Sequence, residues 1–218
     1  MRYRLACFDL DGTLINTLGG LTRSLNAARR MNNLHPQTEE QVKTFINNGV
    51  VKMMEKSLAA DRKHYDSDMK QRLLKDYVAY YNSHYLDDTR LYDGIGEVLI
   101  RLKADGMLLA CITNKDDEPA QRLIEHFFPG VFDYVCGSKA GIARKPSAEP
   151  VERCLASLGI QNSEAVYVGD SEVDILTAAN SGVDCISCTW GYQTRRFLVE
   201  KGALFICTEP IDLRNIMR

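Results

Sequence analysis

The 218 residues are enough for one sizeable core, with room for a small inserted domain. Lys and Arg number 27 against 29 Asp and Glu, a formal net charge of -2, which gives no indication of a nucleic-acid partner. No apolar run approaches the ~20 residues that a membrane helix needs, and Asp9 ends the first apolar run too early for a signal peptide. Seven cysteines, mostly in short apolar stretches, indicate reduced core thiols. We therefore expect a cytoplasmic protein that binds neither membrane nor nucleic acid.

Short apolar segments typical of buried strands recur along the chain, and helical patterns separate most of them. The predicted strands are 5–8, 108–112, 134–136, 165–168, 183–188 and 204–207. The predicted helices between and after them are 95–104, 118–127, 150–158, 174–180 and 194–201. This alternation predicts an α/β fold with a Rossmann-like, mostly parallel sheet. In such sheets, functional sites lie at the carboxyl ends of the strands.

One interval, between Asp11 and Tyr92, breaks the alternation with about eighty residues that carry helical patterns only. These patterns cover 16–31, 38–46, 50–58 and 68–85. Ordinary strand-to-helix connections take only ~2–6 residues, so the interval predicts an inserted all-helical cap domain. We place the cap at 16–88 and the α/β core at 1–15 and 89–218. The sequence Asn47-Asn48-Gly49 predicts a turn between two cap helices.

Polar stretches follow four of the predicted strands. They are Asp9-Leu10-Asp11-Gly12-Thr13, Thr113-Asn114, Arg144-Lys145-Pro146 after a loop, and Gly169-Asp170-Ser171 with Asp174 beyond it. Each alone has an ordinary explanation: a turn cap, a strand end, a solvated lysine or an acid in the first turn of a helix. Because parallel strands bring their carboxyl ends to one edge, the four stretches together predict a site.

The first stretch places the like charges of Asp9 and Asp11 side by side at the end of a buried strand. Repulsion and desolvation both oppose that arrangement. A cation, or a reaction that uses both acids, would offset the cost.

The four stretches, in this order, resemble the haloacid dehalogenase superfamily of phosphohydrolases: D-x-D-G-T, then Thr or Ser, then Lys, then G-D-x-x-x-D. The resemblance spans Asp9 to Asp174 and includes a helical insert after the first motif. Lys145-Pro146 and Thr189-Trp190-Gly191-Tyr192 further resemble the phosphoglycolate-phosphatase-like branch. The resemblance implies a magnesium-dependent phosphoric monoester hydrolase acting on a small phosphorylated metabolite, such as a phosphoglycolate-like ester. It indicates no oligomeric state.

The resemblance also implies roles for individual residues. Asp9 would be the nucleophile that forms an aspartyl-phosphate, and Asp11 would protonate the leaving oxygen and later take a proton from water. The metal would be held by Asp9, the backbone carbonyl of Asp11, and Asp170. Asp174 would support the metal's water or orient Lys145. The phosphoryl oxygens would be bound by Thr113, Lys145 and the backbone amides of Leu10, Asp11 and Asn114.

The cap turn resembles the substrate-specificity loop of the same branch, although it contains no arginine. The predicted specificity residues are therefore the turn itself and the two available cations: Asn47, Asn48, Gly49, Lys52 and Arg23. The turn is expected near the leaving group once the cap lies over the strand ends.

Alternatives remain open from the sequence alone. A nucleotidase or pyrophosphatase of the same fold uses the same core motifs. A catalytically weak scaffold or ligand-binding member is the non-enzymatic alternative, although a scaffold has no need of costly clustered charges. Haloacid dehalogenase activity itself is disfavoured by Asp11, because that reaction needs no proton donor for the leaving group.

Overall fold

The computed structural model describes residues 2–217. Its strands are β1 (Leu5–Phe8), β2 (Ile15–Asn16), β3 (Arg90–Leu91), β4 (Leu108–Asp116), β5 (Tyr134–Ser138), β6 (Ala165–Gly169), β7 (Asp184–Cys188) and β8 (Phe205–Cys207). Its α-helices are α1 (Leu18–Met31), α2 (Glu39–Lys43), α3 (Val50–Ala59), α4 (Ser67–His84), α5 (Ile95–Ala104), α6 (Asp117–Phe127), α7 (Glu149–Leu158), α8 (Glu172–Ser181), α9 (Arg195–Glu200) and α10 (Leu213–Ile216). The chain divides into two compact units, Met1–Asn16 with Leu91–Arg218, and Thr17–Arg90.

The first unit is built on a six-stranded sheet in the order β5-β4-β1-β6-β7-β8. Every neighbouring pair in that sheet is parallel. All four residues of β1 are buried, because a central parallel strand is covered on both faces and needs no polar side. The predicted α/β fold with a mostly parallel sheet is confirmed.

One face of the sheet packs against α7 and α8 in a continuous apolar core. Its members include Leu5 and Tyr167 from the strands, and Val151 and Ala178 from the helices, each at most 1% exposed. The register places Phe8, the last residue of β1, beside Cys111 of β4 and Val168 of β6. The residues that follow β1 therefore emerge between the carboxyl ends of its two neighbours.

The second unit, Thr17–Arg90, contains helices α1 to α4. Its centre holds a fully buried arginine, Arg29, whose guanidinium donates to Asp61 Oδ1 at 2.7 Å and Ser57 Oγ at 2.8 Å. Helix α2 begins at a sequence signal, since Thr38 forms a capping box with Gln41. No helix within residues 2–217 is both long enough and apolar enough to cross a membrane.

The sequence prediction ended the second core strand too early, at residue 112. In the structure β4 continues to Asp116, with an irregular register between Ile112 and Asp116 before the ladder to β5 resumes at Ser138. Thr113 and Asn114 therefore lie within the strand rather than after it. The two-residue strands β2 and β3 and the short helix α10 were not predicted, because elements of two to four residues are too short to show a periodicity.

Candidate active site

The loop after β1 is tightly folded around one carbonyl oxygen. Leu10 O accepts hydrogen bonds from the backbone N–H groups of Thr13 at 3.3 Å and Ile15 at 3.0 Å. Gly12 has φ +89°, and a Cβ added there would lie 2.5 Å from Asp170 Oδ2. Both the backbone conformation and the approach of the carboxylate require glycine at this position. The glycine of the D-x-D-G-T motif thus permits this loop conformation and leaves room for the Asp170 carboxylate.

Lys145 is the centre of a buried polar network. Its Nζ lies 3.0 Å from Asp9 Oδ1 and donates to Asp174 Oδ1 at 2.7 Å and to the Tyr167 hydroxyl at 2.8 Å. Burial opposes the ammonium charge, but the two carboxylates outweigh it and raise the pKa of Lys145 above its ordinary value. Leu10 N also donates to Asp9 Oδ1, at 2.8 Å. These contacts fix the rotation of the Asp9 carboxylate.

Three acids converge beside this lysine. One carboxylate oxygen from each of Asp9, Asp170 and Asp174 lies within 4.8 Å of the others, and all three side chains are buried. Burial, with repulsion from Asp174, raises the pKa of Asp9 to about 6 although Lys145 opposes the shift. Burial and the other two acids raise the pKa of Asp170 well above its ordinary value. Three carboxylates against one ammonium leave a negative excess that a divalent cation with oxygen ligands would cancel, so the donor set fits Mg²⁺.

Two of these acids are held by local hydrogen bonds. Asp170 Oδ1 accepts from the Thr13 hydroxyl at 3.2 Å, and Oδ2 accepts from Tyr192 N at 2.7 Å. Asp174 Oδ2 accepts from Ser171 N at 3.0 Å and Ser171 Oγ at 2.6 Å, in a capping box at the start of α8. The segment around Tyr192, noticed in the sequence only as a resemblance, therefore orients an acid of the cluster.

Thr113 and Asn114, the predicted site residues of β4, each form a hydrogen bond with another residue of the site region. The Thr113 hydroxyl accepts from Lys115 N at 3.2 Å. Asn114 Nδ2 donates to the backbone carbonyl of Lys145 at 3.0 Å. Thr113 and Asn114 are 5% and 6% exposed. Asn114 thus ties the lysine-bearing loop to β4, a contact that sequence order alone did not indicate.

Asp11, the second acid of the D-x-D-G-T motif, forms an ion pair with Lys115. Lys115 Nζ lies 3.2 Å from Asp11 Oδ1 and 3.1 Å from Oδ2. The sequence motifs did not single out Lys115. The spacing gives no signal for Lys115, because residues i and i+2 share a face only in a regular strand, and the β4 register is irregular between Ile112 and Asp116.

The predicted specificity residues belong to the helical unit and are described within it. Asn47 has φ 83°, and Gly49, at φ 82°, precedes the first residue of α3. Lys52 Nζ pairs with Glu55 Oε2 at 2.8 Å, and Arg23 pairs with Asp88. Both cations are thus engaged with acids of their own unit.

The sequence model of the haloacid dehalogenase-like hydrolases matches residues 6–188. The chain belongs to the haloacid dehalogenase-like hydrolase family. The matched range contains all four core motifs, from Asp9 to Asp174. The superfamily assignment made from those motifs is confirmed.

Relatives that match over most of their length identify the branch of the family to which the chain is similar. The phosphoglycolate phosphatase of Chromobacterium violaceum is 32% identical, covering 99% of this chain and 96% of its own. That of Rhodospirillum rubrum is 34% identical, covering 91% of this chain and 84% of its own. A crystal structure of a protein from Lactobacillus delbrueckii subsp. bulgaricus matches with TM-score 0.95 at 33% identity, over 100% of this chain and 99% of that one. The prediction of a phosphoric monoester hydrolase in the phosphoglycolate-phosphatase-like branch is confirmed.

Proposed function

We propose that this phosphatase is magnesium-dependent and hydrolyses a small phosphorylated metabolite through an aspartyl-phosphate on Asp9. Phosphoglycolate, named in the relatives, is the leading candidate substrate. The observation that carries the proposal is the buried Asp9 carboxylate, held 3.0 Å from Lys145 and clustered with Asp170 and Asp174.

The metal assignment follows from the donor set. Asp9, Asp170 and the backbone carbonyl of Asp11 would hold Mg²⁺, and Asp174 would support its water or orient Lys145. When bound there, the ion neutralises part of the charge on a dianionic phosphate so that a carboxylate can approach it. Asp174 already accepts hydrogen bonds from Lys145 and Ser171 through different oxygens, which suits it better to support than to direct ligation.

In the first half of the reaction, an Asp9 carboxylate oxygen attacks phosphorus and the bond from phosphorus to the ester oxygen breaks. Asp11 gives its proton to the departing oxygen, so the alcohol leaves neutral. The Lys145 ammonium and the Thr113 hydroxyl stabilise the phosphoryl oxygens. The products are a phosphorylated Asp9, a free alcohol and an ionised Asp11.

In the second half, water attacks the phosphorus of the aspartyl-phosphate. Asp11 takes one proton from that water, and the bond between phosphorus and the Asp9 oxygen breaks. Inorganic phosphate leaves, Asp9 is again a carboxylate and Asp11 is again protonated. The same residue serves as acid and then as base, so the two halves return the site to its starting protonation.

Recognition of the rest of the substrate is assigned to the helical unit. The core groups named above act on the phosphoryl group, the metal or the oxygen that leaves, so they do not contact the rest of the leaving group. We assign leaving-group recognition to Asn47, Asn48, Gly49, Lys52 and Arg23.

The test measures inorganic phosphate released by the purified chain with and without Mg²⁺. The panel contains phosphoglycolate, 4-nitrophenyl phosphate, nucleoside monophosphates and pyrophosphate, and Asp9→Asn is the inactive control. Magnesium-dependent release with the highest kcat/KM on phosphoglycolate is expected. Preference for a nucleotide or pyrophosphate would show that the proposed substrate class is wrong. Full activity of Asp9→Asn would show that Asp9 is not the nucleophile.

A further inference from the structure

Lys115 and Asp11 form an ion pair beside the network around Lys145. Lys145 contacts Asp9 and Asp174, whereas Lys115 contacts both oxygens of Asp11. The Lys115 side chain is 8% exposed and that of Asp11 is 19% exposed. Two contacts from one ammonium to both carboxylate oxygens restrict the rotation of the carboxylate, and low exposure limits competition from water.

The backbone explains why Lys115 is available for this contact. It lies where the register between β4 and β5 is irregular, between Ile112 and Asp116. Such irregularities redirect side chains and are frequent beside active sites. Lys115 N donates to the Thr113 hydroxyl at 3.2 Å, which holds the lysine against a residue of the motif.

We propose that Lys115 is a positioning residue for Asp11, holding its carboxylate where it exchanges a proton with the leaving oxygen. This inference rests on the proposed function, in which the ester bond to phosphorus breaks as the proton passes from Asp11 to the leaving oxygen. The contacts from Lys115 Nζ to both carboxylate oxygens hold the Asp11 side chain in one orientation.

The leaving group provides a direct test. A 4-nitrophenolate leaves readily without a proton, whereas an alkoxide does not, so only the alkyl ester depends strongly on Asp11. We therefore compare kcat/KM for 4-nitrophenyl phosphate and glycerol phosphate in the parent, Lys115→Met and Lys115→Arg. Acid–base groups contribute ~10²–10⁴-fold, and Lys115→Met is expected to lose roughly tenfold or more on the alkyl ester beyond any loss on the aryl ester. Lys115→Arg, which retains two donors for the carboxylate, should recover most of that difference.

Lys139→Met is the matched control, since Lys139 pairs with Asp117 at 3.3 Å and its side chain is 47% exposed. It should keep the parent's ratio between the two esters. Circular dichroism checks the fold of each variant, and Lys115→Gln replaces Lys115→Met with the same expectation if the latter does not fold.

Three results would overturn the inference. Equal losses on both esters would mean that Lys115 acts on structure or on the phosphoryl group. A loss on phosphoglycolate without a loss on glycerol phosphate would make Lys115 a ligand for the substrate carboxylate. If the parent hydrolyses neither ester with Mg²⁺, the proposed function fails and this inference fails with it; a parent active on both esters isolates the role of Lys115.

Discussion

The Tyr167 hydroxyl of β6 links Lys145 to β4, accepting from Lys145 Nζ at 2.8 Å and donating to the Ile112 carbonyl at 2.6 Å. Burial raises the pKa of Tyr167 well above its ordinary value, so the hydroxyl keeps its proton and remains a donor. Together with Asp9 and Asp174, it gives the ammonium three partners, one for each of its N–H groups. The position of Lys145 is thus determined by β1, β6 and α8 together.

Tyr167→Phe tests whether this positioning matters for turnover. The change leaves the Ile112 carbonyl and one Lys145 N–H without their partner, so the free energy of unfolding should fall by about 1–3 kcal/mol. We expect kcat to fall several-fold, because Lys145 can then tilt away from Asp9. Urea denaturation and steady-state kinetics measure the two effects. Tyr3→Phe is the control: it removes the hydrogen bond to Asp184, outside the site, and should lower stability but not kcat. An unchanged kcat in Tyr167→Phe would contradict the positioning role.

Tyr3 also predicts a pH dependence of stability. Burial and the bond to Asp184 raise the pKa of Tyr3 to about 12. Because the folded-state pKa is raised, the stability it contributes is fully present below the unfolded value of about 10 and is lost as pH rises through about 12. The difference in unfolding free energy between the parent and Tyr3→Phe should therefore be constant at neutral pH and narrow in that window. Urea titrations across the alkaline range measure it, and a constant difference would count against the shift.

Several of these relationships follow directly from the sequence, and others do not. Asp9 and Asp170 were predicted to meet because each follows a strand of a parallel sheet, whose carboxyl ends share one edge, and the two acids lie together in the structure. The roles of Lys115 and Tyr167 were not predicted. Lys115 depends on an irregular ladder that carries no sequence signal of its own. Tyr167 is a buried aromatic residue in an apolar strand, and its hydroxyl partners come from distant parts of the chain.

Asp170→Asn tests the metal assignment. It removes one buried charge from three clustered acids, while an amide can still accept from Tyr192 N and donate to the Thr13 hydroxyl. In EDTA the variant should be at least as stable as the parent. Mg²⁺ should raise the Tm of the parent, as a ligand of the folded state does, and should raise that of the variant far less. Thermal unfolding and calorimetric titration with MgCl₂ measure both.

Asp133→Asn serves as the control for that experiment. Asp133 pairs with Lys103 and accepts from Leu109 N, apart from the acid cluster. Its variant should lose stability yet keep the magnesium-induced shift in Tm. A parental shift in Asp170→Asn would show that Asp170 is not a ligand.

Lys52→Ala tests the assignment of specificity to the helical unit. Lys52 and Lys70 both pair with Glu55, so Lys70→Ala is a matched control. We expect Lys52→Ala, Asn47→Ala and Asn48→Ala to lower kcat/KM on phosphoglycolate several-fold relative to 4-nitrophenyl phosphate, with no such change in Lys70→Ala. Equal losses on every ester would show that these residues do not recognise the leaving group.

The central claim is that Asp9 attacks phosphorus, and trapping the phosphorylated chain tests it most directly. Asp11→Asn is mixed with 4-nitrophenyl phosphate and Mg²⁺, quenched in acid and mapped by peptide mass spectrometry. The aryl group leaves without a proton, so the first half of the reaction proceeds in this variant. The second half lacks the base that activates water, so the aspartyl-phosphate should accumulate. We predict one hydroxylamine-labile phosphoryl group on the peptide containing residue 9. The double variant Asp9→Asn with Asp11→Asn should carry no such group. Release of 4-nitrophenol with no phosphoryl group on that peptide, or with the group on another residue, would contradict the mechanism.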